Sequence, residues 1–276
     1  MISRIELFER IRRDRRVDAF VSQRELMSRH KVGRRTVVQA LDAAVGILEV
    51  GARAARGIAV IIDVFRACST LACAVDRGAA RVVPVAGVPE AQELRTRLPG
   101  GLLAGERHAR ALPGFDAGNS PTELQALDLR GRTLLHTTHA GTQGLTSATR
   151  AREVLTGAFV NLSAVAGYIE ARRPEQVSLV RMGHEARERC AEDDLYARCL
   201  LDLLEGRDPG LHCVPGLLRD APAARKFFDP ACDYAPEADF AFCADVDRYG
   251  FVLRLKRAAG APVELERIDP PWMATA

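Results

Sequence analysis

The sequence predicts an α/β domain in which a layered, mostly parallel β-sheet is flanked by helices, preceded by a small all-α helix-turn-helix segment. Short apolar runs rich in Val and Ile alternate with helical patterns, the order expected of parallel crossover units. Each run ends in polar residues. The first 45 residues hold eleven Lys/Arg against six Asp/Glu, a net +5, whereas all 276 residues carry a net +3. We therefore divide the chain into a segment over 1–46 and a large domain over 47–276.

The N-terminal segment, 1–46, has the layout of a helix-turn-helix. An amphipathic pattern and an arginine-rich run come first, and Ser22 and Glu25 then have the spacing of a capping box. Arg34 and Gln39 lie at the start of the would-be recognition helix. The strings ELFERIRRDRRV and RHKVGRRTVVQAL resemble the N-terminal helix-turn-helix of insertion-sequence transposases. Weak DNA binding is one expectation for this segment, and a fusion remnant with a solvated basic face is the other.

The large domain opens with a predicted strand–helix–strand unit. Residues 45–56 form the junction, in which GILEVGA would enter the domain as an edge strand. The apolar run Ile58–Ile62 predicts a strand buried on both faces, a helical pattern follows it up to Gly78, and 79–85 is a second apolar run. Open α/β sheets bind ligands at the carboxyl ends of such strands, and a helix N-terminus favours anions.

The same order repeats along the rest of the chain. A loop rich in Gly, Pro and Asp, 105–120, interrupts it and is the type of surface loop that carries function. Ser120 is expected to cap the helix that Pro121 starts, and Asn161 the helix after it. Further strands are predicted over 102–104, 133–136, 153–159, 176–182 and 249–256, and helices over 88–98, 121–127, 162–172, 195–206 and 222–228.

Composition and missing motifs exclude several classes of protein. Charges interrupt every apolar run before membrane-spanning length, and the first residues lack a signal-peptide pattern. Seven Cys without a CxxC pair favour reduced thiols in the cytoplasm over a disulfide framework or a zinc ribbon. The phosphate-binding strings GxxxxGK[ST] and GxGxxG are absent. The C-x5-R spacing over 213–219 resembles that of cysteine phosphatases, but its large residues do not suit a phosphate cradle.

Oxygen-bearing side chains converge at the predicted strand ends. Carboxylates, together with water and substrate phosphate, are the ligands that Mg²⁺ prefers. A magnesium ion with an arginine could neutralise charge on a phosphoryl group during its transfer to water. The histidines lack the spacing of a zinc site, and we interpret four of them as ordinary polar residues: His108, His136, His139 and His184.

Five strings, in order, carry a family resemblance: IDVFRACST, AGERHARALPGFDAGNSP, TTHAGT, TGAFVNLSAVA and EDDLYA. Over about residues 48–256 the chain resembles the 2-phosphosulfolactate phosphatase (ComB) family. The resemblance implies a magnesium-dependent phosphatase with its own α/β fold, which hydrolyses 2-phospho-3-sulfolactate and related 2-phospho-hydroxy acids. The chain departs from the family pattern in ACST, at His108 in the turn after Glu106, at His139 and Ala140, and in the loop MGHEARERC.

We therefore expect a magnesium-dependent phosphatase acting on a small anionic 2-phosphorylated hydroxy acid, with no membrane partner and a homo-oligomer left open. The alternative is a DNA-binding regulator whose large domain is a catalytically lapsed sensor of small molecules. The residues expected to bind the metal or to orient the attacking water are Asp63, Asp116, Glu192 and Asp193. Glu106 is the next candidate for orienting that water. The expected catalytic residues are therefore Asp63, Glu106, Asp116 and Asp193. The residues expected to bind or orient the substrate are Arg66, Ser69, Thr70, Asn119, Ser120, Thr137, Thr138 and Asn161.

Overall fold

The structure, a computed structural model, describes residues 48–269 and three isolated positions, 7, 10 and 29. Apart from those three positions, the predicted helix-turn-helix over 1–46 lies outside the described residues. Within 48–269, none of the helices has the length and apolar content needed to cross a lipid bilayer.

Nine strands form one mixed sheet across the described residues. Its order is β4-β3-β5-β2-β9-β8-β6-β1-β7. The α/β class is confirmed, but the sheet is mixed, because the antiparallel β8–β9 pair lies in its middle. The strands are β1 (Ile58–Ile62), β2 (Arg81–Pro84), β3 (Leu102–Arg107), β4 (Arg110–Ala111), β5 (Thr133–Thr137), β6 (Glu153–Gly157), β7 (Val177–Arg181), β8 (Val252–Lys256) and β9 (Glu264–Ile268).

Helices flank this sheet and connect its parallel strands. Three short 3₁₀ segments accompany the described helices: Phe159–Asn161, Leu211–Cys213 and Pro222–Phe227. The helices are α1 (Leu48–Ala54), α2 (Ala67–Asp76), α3 (Val88–Arg97), α4 (Pro121–Gln125), α5 (Gly141–Ser147), α6 (Leu162–Arg172), α7 (Ala191–Leu204), α8 (Val214–Arg219) and α9 (Glu237–Cys243).

Two groups of three parallel strands make up the two sides of the sheet. On one side β3, β5 and β2 run parallel, and on the other β6, β1 and β7 do so. The antiparallel β9 and β8 between them make the two groups formally opposite in direction. At the usual rotation of about 20–25° between neighbouring strands, the five steps from β5 to β1 would accumulate roughly 100–125°. A twist of this size explains how residues at the carboxyl ends of both groups line one cavity.

Strand β1 lies in the middle of the hydrophobic core, as its apolar run predicts. Ala59 and Ile61 belong to one buried cluster, and Ile58, Val60 and Ile62 belong to the cluster on the opposite face. All five side chains are fully buried. A strand packed on both faces has little freedom to shift, so it holds the polar residues that follow it in a fixed place.

Three predictions about secondary structure were wrong. Leu48–Ala54 is a helix and not an edge strand. Helix α7 begins at Ala191, so the acidic triplet EDD lies in its first turn and not in the preceding loop. The helix dipole stabilises carboxylates at that end of a helix. The strand at Val252–Lys256 is not the last one, because β9 follows it at Glu264–Ile268. The charged sequence ELERI does not indicate a strand, because the side chains of β9 are mostly half-buried and lack an apolar run.

Candidate active site

A cavity of about 640 Å³ lies where the carboxyl ends of four strands meet. Asp63 directly follows β1, Glu106 lies near the end of β3, His139 lies in the turn after β5, and Glu185 lies in the loop after β7. The first turn of α7 and the 3₁₀ segment at 222–227 close the remaining side. Residues from distant parts of the chain therefore share one concave site, the usual setting for a small-molecule ligand.

Three buried carboxylates line this cavity: Asp63, Glu106 and Glu192, with exposures of 8%, 7% and 4%. Burial, followed by the charges of Glu106 and Glu192 among other neighbours, raises the pKa of Asp63 to about 6. Burial likewise raises the pKa of Glu192. Like charges held together out of water repel each other, and a bound cation would relieve that repulsion.

The backbone and a glycine fix the carboxylate of Asp63. Its Oδ1 accepts a hydrogen bond from the backbone N–H of Ala67, 3.1 Å away, at the start of α2. A Cβ at Gly141 would lie 2.7 Å from Oδ2 of Asp63 and 2.6 Å from the Cβ of Ala67. Only a residue without a side chain therefore leaves room for Asp63 beside α5.

Glu192 presents an oxygen without a partner. It lies in the first turn of α7, and its Oε2 is buried with no hydrogen bond. A buried carboxylate oxygen left unsatisfied is costly, which points to a missing ligand that the site is built to receive.

Glu106 joins two turns at the edge of the cavity. Its Oε1 accepts from the backbone N–H of His139, and its Oε2 accepts from that of Ala109, both at 2.8 Å. Each oxygen therefore already has one donor, and Glu106 holds the turn after β3 against the turn after β5.

Positive charge faces these acids from Arg66 and Lys226, which also line the cavity. Arg66 is 2% exposed, donates to the backbone carbonyl of Tyr234 at 3.0 Å and pairs with Asp239. Lys226 is half-buried, and burial together with the charge of Arg66 lowers its pKa. The cavity thus combines carboxylates for a cation with cationic groups for an anion.

Asp193 and Asp116 lie outside the cavity lining. Asp193 is 3% exposed, and its two oxygens accept from the backbone N–H groups of Val64 at 3.1 Å and Gly183 at 2.8 Å. It therefore ties the end of β1 to the end of β7. Asp116 accepts from the backbone N–H of Leu103 at 2.8 Å and lies 3.5 Å from Arg95. The structure does not bring Asp116 together with Asp63.

The hydroxyl residues named from the sequence make local contacts and do not line the cavity. Ser69 donates to the carbonyl of Val64 at 3.2 Å, whereas the hydroxyl of Thr70 is buried without a partner. Thr137 accepts from Arg107 at 3.0 Å. Thr138 accepts from the backbone N–H of Thr142 at 3.1 Å, so it shapes the start of α5.

Asn119 lines the cavity, but Ser120 and Asn161 do not. The Oδ1 of Asn119 lies 3.2 Å from Nε2 of His136. Ser120 caps α4 as predicted, accepting from the backbone N–H of Glu123 at 3.2 Å, and it donates to Asp239 at 2.9 Å. Asn161 precedes α6 without a side-chain cap, because its Nδ2 donates to the carbonyl of Phe251 at 3.0 Å.

Two residues that set the charge around Arg66 are not indicated by the sequence. Lys226 lies in a stretch without any recognisable motif, and Asp239 is one of several acids in an irregular tail. Only the folded structure reveals them, because both lie near Arg66 although they are more than 150 residues further along the chain.

The residues present fit a hard divalent cation. Asp63 is seated against a glycine that leaves it room, and Glu192 keeps a free buried oxygen. Asp63, Glu106 and Glu192 do not form a tight group of ligand atoms within 4.8 Å of one another. Mg²⁺ does not require such a group, because it binds through one or two carboxylates and keeps several waters or substrate oxygens.

Comparison with known proteins identifies one family. Residues 48–258 match the family described as 2-phosphosulpholactate phosphatase. A protein of Thermotoga petrophila named "Probable 2-phosphosulfolactate phosphatase" is 40% identical over 152 residues, which are 55% of this chain and 64% of that protein. One of Carboxydothermus hydrogenoformans with the same name is 43% identical over 110 residues, 40% of this chain and 45% of that protein. The chain thus aligns with less than two thirds of the length of these relatives.

Proposed function

Since the chain belongs to the 2-phosphosulpholactate phosphatase family, we propose that it is a magnesium-dependent phosphatase. Its substrate is a small 2-phosphorylated hydroxy acid such as 2-phospho-3-sulfolactate, and its products are the hydroxy acid and phosphate. The observation that carries the proposal is the pairing, in one cavity, of buried carboxylates with Arg66 and Lys226. The relatives named as probable 2-phosphosulfolactate phosphatases support the same substrate class.

In this proposal Asp63 would hold the cation, with water and substrate oxygens as its other ligands. When bound, Mg²⁺ supplies charge neutralisation to the phosphoryl oxygens. Asp193 acts as a positioning residue, because its carboxylate joins the backbone just after β1 to the loop after β7. Glu106 positions the turns that carry His139 and Ala109. Asp116 is left out, since its carboxylate serves Leu103 and Arg95 away from the cavity.

The reaction needs a water, a proton acceptor and a cationic seat for the substrate. The water oxygen bonds to phosphorus as the water gives up a proton. The bond from phosphorus to the C2 oxygen breaks, its electron pair leaves with that oxygen, and the proton that the water gave up is passed on to it. Glu192, whose Oε2 has no hydrogen bond, accepts the proton of the attacking water. Lys226 and Arg66 offset the negative charge of the phosphate and of the carboxylate or sulfonate.

The test measures phosphate release from 2-phospholactate and 2-phospho-3-sulfolactate by the purified full-length chain, with Mg²⁺ and with EDTA. We expect release that requires Mg²⁺ and falls by a factor of about 100 or more in Glu192→Gln. Asp194→Asn is the matched control, because Asp194 lies in the same helical turn but pairs with Arg181 and Arg189 and does not line the cavity. Absence of release from either substrate would count decisively against the proposal. Within the described residues, nothing supports the alternative of a DNA-binding regulator.

A further inference from the structure

Two histidines and a glutamate meet at the edge of the cavity, next to the three acids. His108 lies in the turn between β3 and β4, His139 follows β5, and Glu185 lies in the loop after β7. One ligand atom from each lies within 4.8 Å of the other two. Nδ1 of His108 is 2.6 Å from Oε1 of Glu185, and Nδ1 of His139 is 3.8 Å from the same oxygen. Three separate segments therefore deliver metal-binding groups to one point.

The backbone holds these groups in place. His108 and Glu185 have φ values of +53° and +52°, a conformation that residues other than glycine rarely adopt. Glu106 accepts from the backbone N–H groups of Ala109 and His139, so one carboxylate fixes both histidine-bearing turns. Such conformations persist where the surroundings enforce them, and they are concentrated at ligand sites.

The side chains are not fully satisfied by one another. Nδ1 of His139 is buried and has no hydrogen-bond partner. Glu185 is 18% exposed in its side chain, and His108 is 73% exposed, which leaves the group open to an ion from solvent. An imidazole nitrogen buried without a partner is the type of atom that a bound metal satisfies.

We propose that His108, His139 and Glu185 form a second metal site, selective for a borderline ion such as Zn²⁺ or Co²⁺. Imidazole nitrogens suit these ions, whereas Mg²⁺ prefers sites built from oxygen alone. Two histidines and one glutamate, with a fourth position left for water or a ligand, are a ligand set of open zinc sites. With bonds of about 2.0–2.2 Å, side-chain rotations that open the contact of His108 with Glu185 would admit the ion.

The site would take an anionic oxygen of the substrate. All three residues line the same cavity as Asp63 and Glu192, so the open position faces the same space. A carboxylate or sulfonate distant from the phosphate is a suitable fourth ligand. This last step rests on the proposed function, but occupation of the site by the metal does not.

The test titrates Co²⁺ into the full-length chain with Mg²⁺ in large excess, so that the oxygen-ligand site is filled. We expect one Co²⁺ per chain with visible ligand-field absorption, which Zn²⁺ bleaches at equal stoichiometry. His108→Ala, His139→Ala and Glu185→Gln should each weaken Co²⁺ binding by more than about 100-fold, since losing even an outer-shell partner costs roughly 10- to 100-fold. His212→Ala, at an exposed histidine that does not line the cavity, should leave the titration unchanged.

The His108→Ala arm decides the outcome, because His108 is exposed and its loss does not disturb the core. Full Co²⁺ binding by this variant would overturn the proposal, as would no visible absorption in the wild type. X-ray absorption at the zinc edge gives a further check, since sulfur scattering would assign the ion to Cys190, which also lines the cavity. Failure of the phosphatase assay with intact Co²⁺ binding would reject the proposed function and keep the metal site.

Discussion

Arg66 and Asp239 form an ion pair in which the two side chains are only 2% and 0% exposed. The second oxygen of Asp239 accepts from the hydroxyl of Ser120 and from the backbone N–H of Thr122, both at 2.9 Å. One carboxylate thus connects the residue that precedes α2 with the first turn of α4. Arg66 reaches the cavity in a fixed orientation because Asp239 holds it there.

We expect Asp239→Asn to lower the free energy of unfolding by about 3–5 kcal/mol, because it leaves the buried guanidinium without its counter-charge. Equilibrium urea denaturation measures the change. Asp245→Asn is the matched control: Asp245 pairs with Arg248 at the surface, with its side chain 50% exposed, and its loss should cost less than about 1 kcal/mol. Equal losses of unfolding free energy in the two variants would show that the buried pair of Arg66 and Asp239 stabilises the fold no more than an exposed pair does.

Gly141→Ala tests the seat of Asp63. A methyl group there would lie 2.7 Å from Oδ2 of Asp63, so the carboxylate must move out of its place. We expect Mg²⁺-dependent phosphate release to fall by at least about tenfold, because small displacements of positioned groups are costly to catalysis. Gly216→Ala is the control, since nothing lies within 4 Å of a Cβ at that position in α8. Unchanged activity in Gly141→Ala would show that phosphate release does not depend on the position of the Asp63 carboxylate.

The sequence predicts the order of strands and helices well where hydrophobic patterns are strong. The run at Ile58–Ile62 and the cap at Ser120 are confirmed, because each depends on a few neighbouring residues. The insertion of β8 and β9 into the middle of the sheet is not predictable in this way. It depends on pairing between Val82 and Leu265, which are 183 residues apart, and β9 itself carries a charged pattern.

The site was predictable to a similar extent. Asp63, Glu106 and Glu192 line one cavity because each lies near an end of a regular element: Asp63 follows β1, Glu106 lies near the end of β3, and Glu192 lies in the first turn of α7. The acidic motif EDD does not show which carboxylate faces the cavity and which accepts hydrogen bonds from backbone N–H groups. Asp193 follows Glu192 directly, yet the turn of α7 directs it to the N–H groups of Val64 and Gly183.

Lys226→Met tests the cationic side of the cavity. We expect the KM for a 2-phosphorylated hydroxy acid to rise by about 10- to 100-fold, the loss of one hydrogen bond to a charged group. Steady-state kinetics at fixed Mg²⁺ measure this change. Arg225→Met removes the same charge from the exposed neighbouring position, and its KM should stay within about twofold of the wild type. A KM in Lys226→Met equal to that of the control would remove Lys226 from substrate binding.

His136 gives the fold a defined sensitivity to acid. It is fully buried in β5, where burial and the charge of Arg107 lower its pKa from 6.5 to about 3. As the pH falls below 6.5, the unfolded chain takes up a proton that the folded chain refuses, so stability is lost progressively down to about pH 3. The loss from this one group is up to about 1.4 kcal/mol per pH unit.

We therefore expect His136→Gln, which cannot titrate, to flatten the decline of stability in acid. The difference in free energy of unfolding between wild type and variant should fall by about 1.4 kcal/mol for each pH unit between about pH 6 and 4. Urea denaturation across this range measures it, with His212→Gln as the control because His212 is exposed. Parallel curves for wild type and His136→Gln would mean that His136 takes up its proton in the folded state, and would contradict its burial as a neutral side chain beside Asn119.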